Sequence, residues 1–316
     1  MEYTLLGKTG IKVSKLCFGS LTMGPLQANL SINEGANLIK YAFDNGVNFL
    51  DTAEIYDNYL YIREALKDIR RDEFVIATKS YSYSKETAER SLAKALEEIG
   101  TDYIDLFLLH EQESEHTIRG HYEAIEYFLK AKEKGIIRDI GISTHRVEGV
   151  IAFNKYDELS VIHPIINKIG IGIQDGNVED MLDAIEKSHK LGKGIYGMKP
   201  LGGGHLIKSV EEAFNFVRDI PYIHSIAIGM QSPEEIDANI NLINYGYIPK
   251  NIKEKIIKKD RKLQIADWCI GCKACMNTCK HGGIEMVADK ATPIKDKCVL
   301  CGYCAPKCPE FCIKVI

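Results

Sequence analysis

Residues 47–79 read VNFLDTAEIYDNYLYIREALKDIRRDEFVIATK. Two short apolar runs, Val47–Asp51 and Phe74–Lys79, enclose a longer helix-like segment, the sign of a strand, a crossover helix and a second strand. The same alternation extends in both directions, with further runs at Leu16–Gly19, Tyr103–His110, Ile137–Ser143, Val161–Asn167, Gly194–Lys199 and His224–Gly229. Helix signals lie between them. Ser31 with Glu34 reads as a capping box, and so does Ser232 with Glu235, where Pro233 takes the first helical position. Ser84 can cap a helix that places Leu92, Ala95, Leu96 and Ile99 on one face, and Gly100 suits its end. Eight strands each followed by a helix predict an α/β fold, a (β/α)8 TIM barrel spanning residues 1–249. The competing doubly wound sheet would bring a Gly-x-Gly-x-x-Gly loop after its first strand, and the chain has none. Gly202–Gly203–Gly204 follows the seventh run instead, where barrels often hold phosphate; a plain turn is the other reading.

The chain has 316 residues and a formal net charge of −4, which argues against a broad nucleic-acid surface. The opening MEYTLLGKTG has no apolar run of signal-peptide length, and the apolar runs elsewhere are strand-sized. The expectation is a cytoplasmic protein with no membrane span. Residues 250–265 are Lys-rich, with apolar Ile252, Ile256, Ile257 and Leu263, and read as a helical linker.

Of ten cysteines, Cys17 stands alone and nine fall between Cys269 and Cys312. Residues 266–316 therefore read as a separate metal or cluster module. Cys269-x2-Cys272-x2-Cys275-x3-Cys279 and Cys298-x2-Cys301-x2-Cys304-x3-Cys308, the latter followed by Pro309, have the spacing of bacterial ferredoxins with two [4Fe–4S] clusters. In that arrangement the fourth cysteine of each run ligates the other cluster. One cluster takes Cys269, Cys272, Cys275 and Cys308; the other takes Cys298, Cys301, Cys304 and Cys279. Gly271, Ala274, Gly302 and Ala305 leave room for the cubanes, and Lys280 stands where a proline commonly follows the fourth cysteine. Zinc also takes four thiolates, but from separated Cys-x2-Cys pairs. Cys17 and Cys312 read as free thiols in buried surroundings.

In the barrel, Asp51, Lys79 and His110 end three successive apolar runs, and Tyr56 follows the first by five residues. Strand ends and the loops after them share one rim in such a barrel, so these four converge. An ammonium near a phenol lowers its pKa from about 10, Asp51 can hold Lys79, and His110 can orient a carbonyl. Asp51-Thr52-Ala53-x-x-Tyr56, Ala77-Thr78-Lys79 and Leu108-Leu109-His110 resemble the signatures of the aldo-keto reductase family. With the cysteine-rich tail, the chain resembles the subgroup carrying a ferredoxin-like 2[4Fe–4S] domain. The resemblance implies an Asp–Tyr–Lys–His catalytic tetrad, NADP(H) or NAD(H) bound without a Rossmann fold, and reversible reduction of a small carbonyl to an alcohol.

It also implies cofactor contacts at Ser143, Asn167, Met198, Lys199, Leu201, Gly229, Gln231, Glu235 and Asn239. Met198 stands where the family has a stacking tyrosine, and Thr144 where it has an asparagine. No basic residue lies between Gly229 and Tyr247, where the family often supplies one for the 2′-phosphate. Leu26, Tyr59, Tyr81, Tyr83, Glu111 and His145 are candidates for the substrate loops, and His121, His163 and His189 have no assigned role. A cluster passes one electron and nicotinamide a hydride, so direct coupling needs an intermediate such as a flavin, which a barrel rim can also bind. The clusters could feed the barrel site, connect it to an external ferredoxin or other electron carrier, or act as staples. A redox sensor or electron-transfer subunit with little turnover is the reading from another class.

Overall fold

Eight parallel strands close on themselves in the computed structural model, which describes residues 1–256, 262–298, 300 and 304–315. A short antiparallel hairpin, β1 (Tyr3–Leu5) and β2 (Lys12–Ser14), precedes them. The barrel strands are β3 (Leu16–Gly19), β4 (Phe49–Asp51), β5 (Val75–Ser80), β6 (Ile104–Leu109), β7 (Ile137–Thr144), β8 (Val161–Pro164), β9 (Gly194–Met198) and β10 (Ser225–Gly229). They pair in sequence order, and β10 returns to β3 to close the ring. The sixth strand is shorter than its apolar run, so Asn167 stands beyond its end.

Strand side chains alternate faces, and that alternation builds the site. Phe49, Val75, Ala77, Leu106, Leu108, Val161 and Tyr196 form the interior cluster with Cys17 and Ala227. Leu6, Ile11 and Val13 join it from the hairpin segment, whose Gly7 lies against the start of β9 and so plugs the amino-terminal end. Asp51, Lys79 and His110 continue the same inward series by steps of two from Phe49, Ala77 and Leu108, so they emerge at the carboxyl end. A second, larger cluster lies between the strands and the outer helices.

The helix signals are mostly met. Ser31 and Glu34 form the expected box, and Ser84 caps Lys85–Ile99, which ends on a left-handed Gly100. Ser232 caps Pro233–Tyr245 through its hydroxyl, but the Glu235 carboxylate accepts the Gln231 N–H at 2.8 Å.

Beyond the barrel, a helix is described over Lys250–Ile256, where Ile252 and Ile256 pack on the core. The linker is not helical throughout. Leu263–Ile265 is a strand, β11, because Leu263 and Ile265 pair with Val315 and Ile313 of the last strand. Then come a helix at Ala274–Thr278, the hairpin β12 (Ile284–Val287) and β13 (Lys290–Pro293), a tight turn at Ala305–Lys307, and β14 (Ile313–Val315). The order is strand, helix, strand, twice over, around a core of Leu263, Cys275, Ile284, Cys304, Cys312 and Ile313. This unit docks on the barrel rim through β14. At Gly204, with φ +94°, a Cβ would lie 2.1 Å from the Val315 carbonyl oxygen, so the glycine run is where the last strand seats.

Candidate active site

Lys79 is 1% exposed and Asp51 5%. The Lys79 ammonium donates to Asp51 Oδ1 at 2.6 Å, Asp51 Oδ2 at 2.7 Å and the Thr52 carbonyl at 2.6 Å. Its three protons thus have three acceptors, and the charge is fixed in place. Asp51 Oδ1 also accepts the Tyr196 hydroxyl at 3.0 Å, and His163 Nε2 lies 3.7 Å away. His163 stacks on Tyr196 at 3.9 Å, and its Nδ1 lies 2.6 Å from the Tyr196 carbonyl, which assigns that nitrogen the proton. Burial lowers the His163 pKa to about 4, so it stays neutral.

Tyr56 follows β4 in a short turn, Glu54–Tyr56. The Lys79 ammonium lies 5.3 Å from its ring centroid, and the His110 ring is 6.0 Å away. The sequence leads one to expect a lowered phenol pKa from that ammonium. Instead burial, then Asp51, Glu111 and Tyr81, hold the hydroxyl well above the ordinary phenol range. The reason is geometric: the Lys79 charge is already matched by Asp51, so it offsets little of the desolvation. His110 is held neutral, first by burial and then by Lys79, and its buried Nδ1 has no partner among the described residues.

A cavity of about 340 Å³ opens on this rim, in the size range of small-molecule sites. Asp51 and Tyr56 line it, as do Met198, Lys199, Leu201, Gly229, Gln231, Glu235 and Asn239. Ser143 and Asn167 do not; both are fully buried. Ser143 Oγ accepts the Glu111 N–H at 2.9 Å, and both ends of the Asn167 amide close on the backbone of Ile171, at 2.8 and 3.0 Å. Of the loop candidates, Tyr59 is a core residue bonded to Thr78 and Tyr83 is exposed. Tyr81 stacks on His110 at 4.6 Å and donates to Glu111 Oε2 at 2.9 Å.

Several lining groups lie outside the sequence-derived set. His163 could have been found by stepping two from Val161, since it shares the inward face. Lys314 and Val315 line the cavity from β14, and Phe311 packs beside Lys199. No local pattern marks these three, because they arrive by docking.

In the carboxy-terminal unit, Cys269, Cys272, Cys275 and Cys308 line one small pocket, the four that the crossed ferredoxin spacing assigns together. Gly271 has φ +68°, and a Cβ there would meet the Asp289 carbonyl at 2.2 Å, so the hairpin β12–β13 dictates that glycine. Cys279, Cys298 and Cys304 belong to one packed cluster; their fourth member, Cys301, and Gly302 lie outside the described residues. Four thiols share one pocket, and among the described residues no three His, Cys, Asp or Glu side chains stand at metal-holding distance. Cys312 is a free, buried thiol, as its sequence context suggests. Its Sγ lies 3.2 Å and its N–H 3.4 Å from Cys308 Sγ, and that contact draws the Cys308 thiol pKa down. Cys17 is buried inside the barrel, where burial raises its thiol pKa.

Among the described residues no helix is long and apolar enough to cross a membrane. Residues 15–222 match the aldo/keto reductase family. The L-galactose dehydrogenase of Arabidopsis thaliana is 26% identical over 217 residues, 65% of this chain and 67% of that one. The uncharacterized oxidoreductase YqkF of Bacillus subtilis is 27% identical over 245 residues, 68% of this chain and 76% of its own. In fold, the holo form of an aldo-keto reductase from Bacillus halodurans superposes with a TM-score of 0.64 at 23% identity, covering 82% of this chain and 96% of that one.

Proposed function

The chain belongs to the aldo/keto reductase family of oxidoreductases, and on that premise we propose that it interconverts small carbonyl compounds and alcohols with a nicotinamide dinucleotide in the rim cavity. One observation carries the reading: the residues expected at the dinucleotide, from Met198 to Asn239, line the cavity that Asp51 and Tyr56 also line. The dinucleotide, when bound, supplies or accepts the hydride.

The chain's own residues handle the proton and the field. Tyr56, kept protonated by burial, is the acid that gives its hydroxyl proton to the substrate oxygen. The Lys79 ammonium, pinned by Asp51 and Thr52 at 5.3 Å from the Tyr56 ring centroid, is a nearby cation that offsets a small part of the phenolate's charge. His110, neutral and with its ring 6.0 Å from that of Tyr56, is the group assigned to orient the carbonyl. Tyr196 and His163 hold Asp51 in the orientation that Lys79 needs.

Cys269, Cys272, Cys275 and Cys308 would hold one [4Fe–4S] cluster, and Cys279, Cys298, Cys301 and Cys304 the other; such clusters pass single electrons. Their carrier would be an external ferredoxin or a similar protein. Phe311, three residues past Cys308, rests 4.3 Å from the Lys199 ammonium and 5.8 Å from the His145 ring, so the unit touches the cavity wall. Electron exchange with the barrel site from there would need a one- to two-electron intermediate such as a flavin.

Tyr56→Phe tests the catalytic role. Loss of the acid should lower kcat for aldehyde reduction about 100- to 10,000-fold while dinucleotide affinity holds; an unchanged kcat removes Tyr56 from the reaction. Anaerobically purified protein should carry about eight irons per chain, and zinc in their place would sink the cluster assignment.

A further inference from the structure

Lys199 and Lys314 line the rim cavity together, one from the end of β9 and one from β14 of the cysteine-rich unit. Among the described residues its other charged lining groups are Asp51, which is paired with Lys79, and Glu235, which accepts the Gln231 N–H among its contacts. Both lysines are partly buried, and among the described residues neither has a carboxylate within 4.0 Å. Lys199 Nζ donates to His145 Nε2 at 2.8 Å, which leaves the imidazole proton on Nδ1, facing Glu111 Oε1 at 3.5 Å. Glu111 is the nearby carboxylate, and it is shared between His145 and the Tyr81 hydroxyl.

What else holds the two ammonium groups is aromatic: Lys199 lies 4.3 Å from the Phe311 ring centroid and Lys314 4.9 Å from that of Trp268. A cation–π contact offsets only part of the cost of desolvating an ammonium. Among the described residues the two lysines thus face the cavity with no carboxylate in contact, Glu235 being held by the Gln231 N–H and Glu111 by His145 and Tyr81.

We propose that Lys199 and Lys314 form a composite site for an anionic oxygen group, carboxylate or phosphate, built half from the barrel and half from the cysteine-rich unit. The strain around it agrees. Lys199 has φ +59°, in the left-handed region, and burial together with Lys314 lowers its pKa to about 7. A bound anion would relieve both the repulsion and the desolvation. The anion has two sources in such an enzyme: a carboxylate on the carbonyl substrate, or the diphosphate of the dinucleotide. This inference rests on the cavity being the reductase site.

The test is calorimetric titration of the cluster-loaded protein with succinate and, separately, with ADP-ribose. Lys314→Met should weaken one of them about 10- to 100-fold, the range for losing a hydrogen bond to a charged group. Lys314→Arg should restore it, separating charge from packing. Weakened succinate binding assigns the site to a substrate carboxylate, and weakened ADP-ribose binding assigns it to the diphosphate. If both ligands bind Lys314→Met and Lys199→Met as they bind the wild type, the site does not exist. Should Lys314→Met misfold, Lys199→Met carries the same two titrations. Turnover of butanal, an uncharged aldehyde, by the wild type tests the reductase reading separately.

Discussion

Replacing Lys79 with Met removes three short hydrogen bonds and leaves Asp51 buried as a charge without a countercharge. What remains to Asp51 is the Tyr196 hydroxyl at 3.0 Å and a neutral His163 at 3.7 Å. Breaking a buried pair from one side costs about 3–5 kcal/mol, whereas replacing both partners by neutral groups of similar shape is near neutral. Lys79→Met alone should therefore lose about 3–5 kcal/mol of stability, and Lys79→Met with Asp51→Asn only about 1 kcal/mol. The double variant should be the more stable of the two, an interaction of at least about 2 kcal/mol. Urea unfolding followed by far-UV circular dichroism measures all four members of the cycle, with slopes compared as well as midpoints. If the double variant is less stable than Lys79→Met, the two losses add, and the account of Lys79 as the fixed countercharge of Asp51 is wrong. Both variants should also lose turnover, since the field beside Tyr56 is gone in each.

Acid should weaken the fold before it strips carboxylates. Unfolded histidine takes up a proton near pH 6.5, whereas His163 does so only near pH 4, and His110 and His145 are also held well below the ordinary range by burial. The unfolded chain then binds more protons, so stability present above pH 6.5 falls toward pH 4, by up to about 1.4 kcal/mol per pH unit for each histidine. Urea midpoints at pH 7, 6 and 5 will show it, and a flat profile would contradict the burial of these rings. Gly204→Ala places a Cβ on the Val315 carbonyl at a φ of +94°, a conformation costing about 1–3 kcal/mol for a non-glycine residue. Hydrogen exchange at Ile313–Val315 should speed up at least tenfold; wild-type protection would mean that β14 does not seat there. With no Lys or Arg between Gly229 and Tyr247, NADH should bind about tenfold or more tightly than NADPH. Equal dissociation constants would refute that preference.

The barrel was legible because its interior repeats with period two. Phe49 then Asp51, Ala77 then Lys79, and Leu108 then His110 are each an apolar residue followed by a reactive one on the same face, and the strand ends do the rest. His163 obeys the same rule after Val161, yet a lone histidine in an apolar run reads as core, and only its approach to Asp51 in the fold gives it a task. Tyr196 is hidden for the same reason. The phenol shift could not be read from residue types, because its sign is set first by how deeply the Tyr56 hydroxyl is buried. Ser143 and Asn167 lie off the cavity lining in this structure, where Ser143 Oγ accepts the Glu111 N–H and the Asn167 amide bonds Ile171, contacts that their sequence positions do not reveal. Lys314, Val315 and Phe311 lie farthest from prediction. Their place on the rim comes from two units meeting across more than a hundred residues of chain, for which periodicity holds no trace.

The contact between Gly204 and Val315 also bears on how such a chain can change over generations. A crossover that exchanged the cysteine-rich unit for a foreign one would bring an unmatched strand against a backbone with no space for a side chain. The incoming strand would also replace two lining residues of the cavity. The two halves are thus inherited as a pair: variation in one is filtered by the other, and a new ligand preference can arise by substitution in a segment remote from every strand of the barrel.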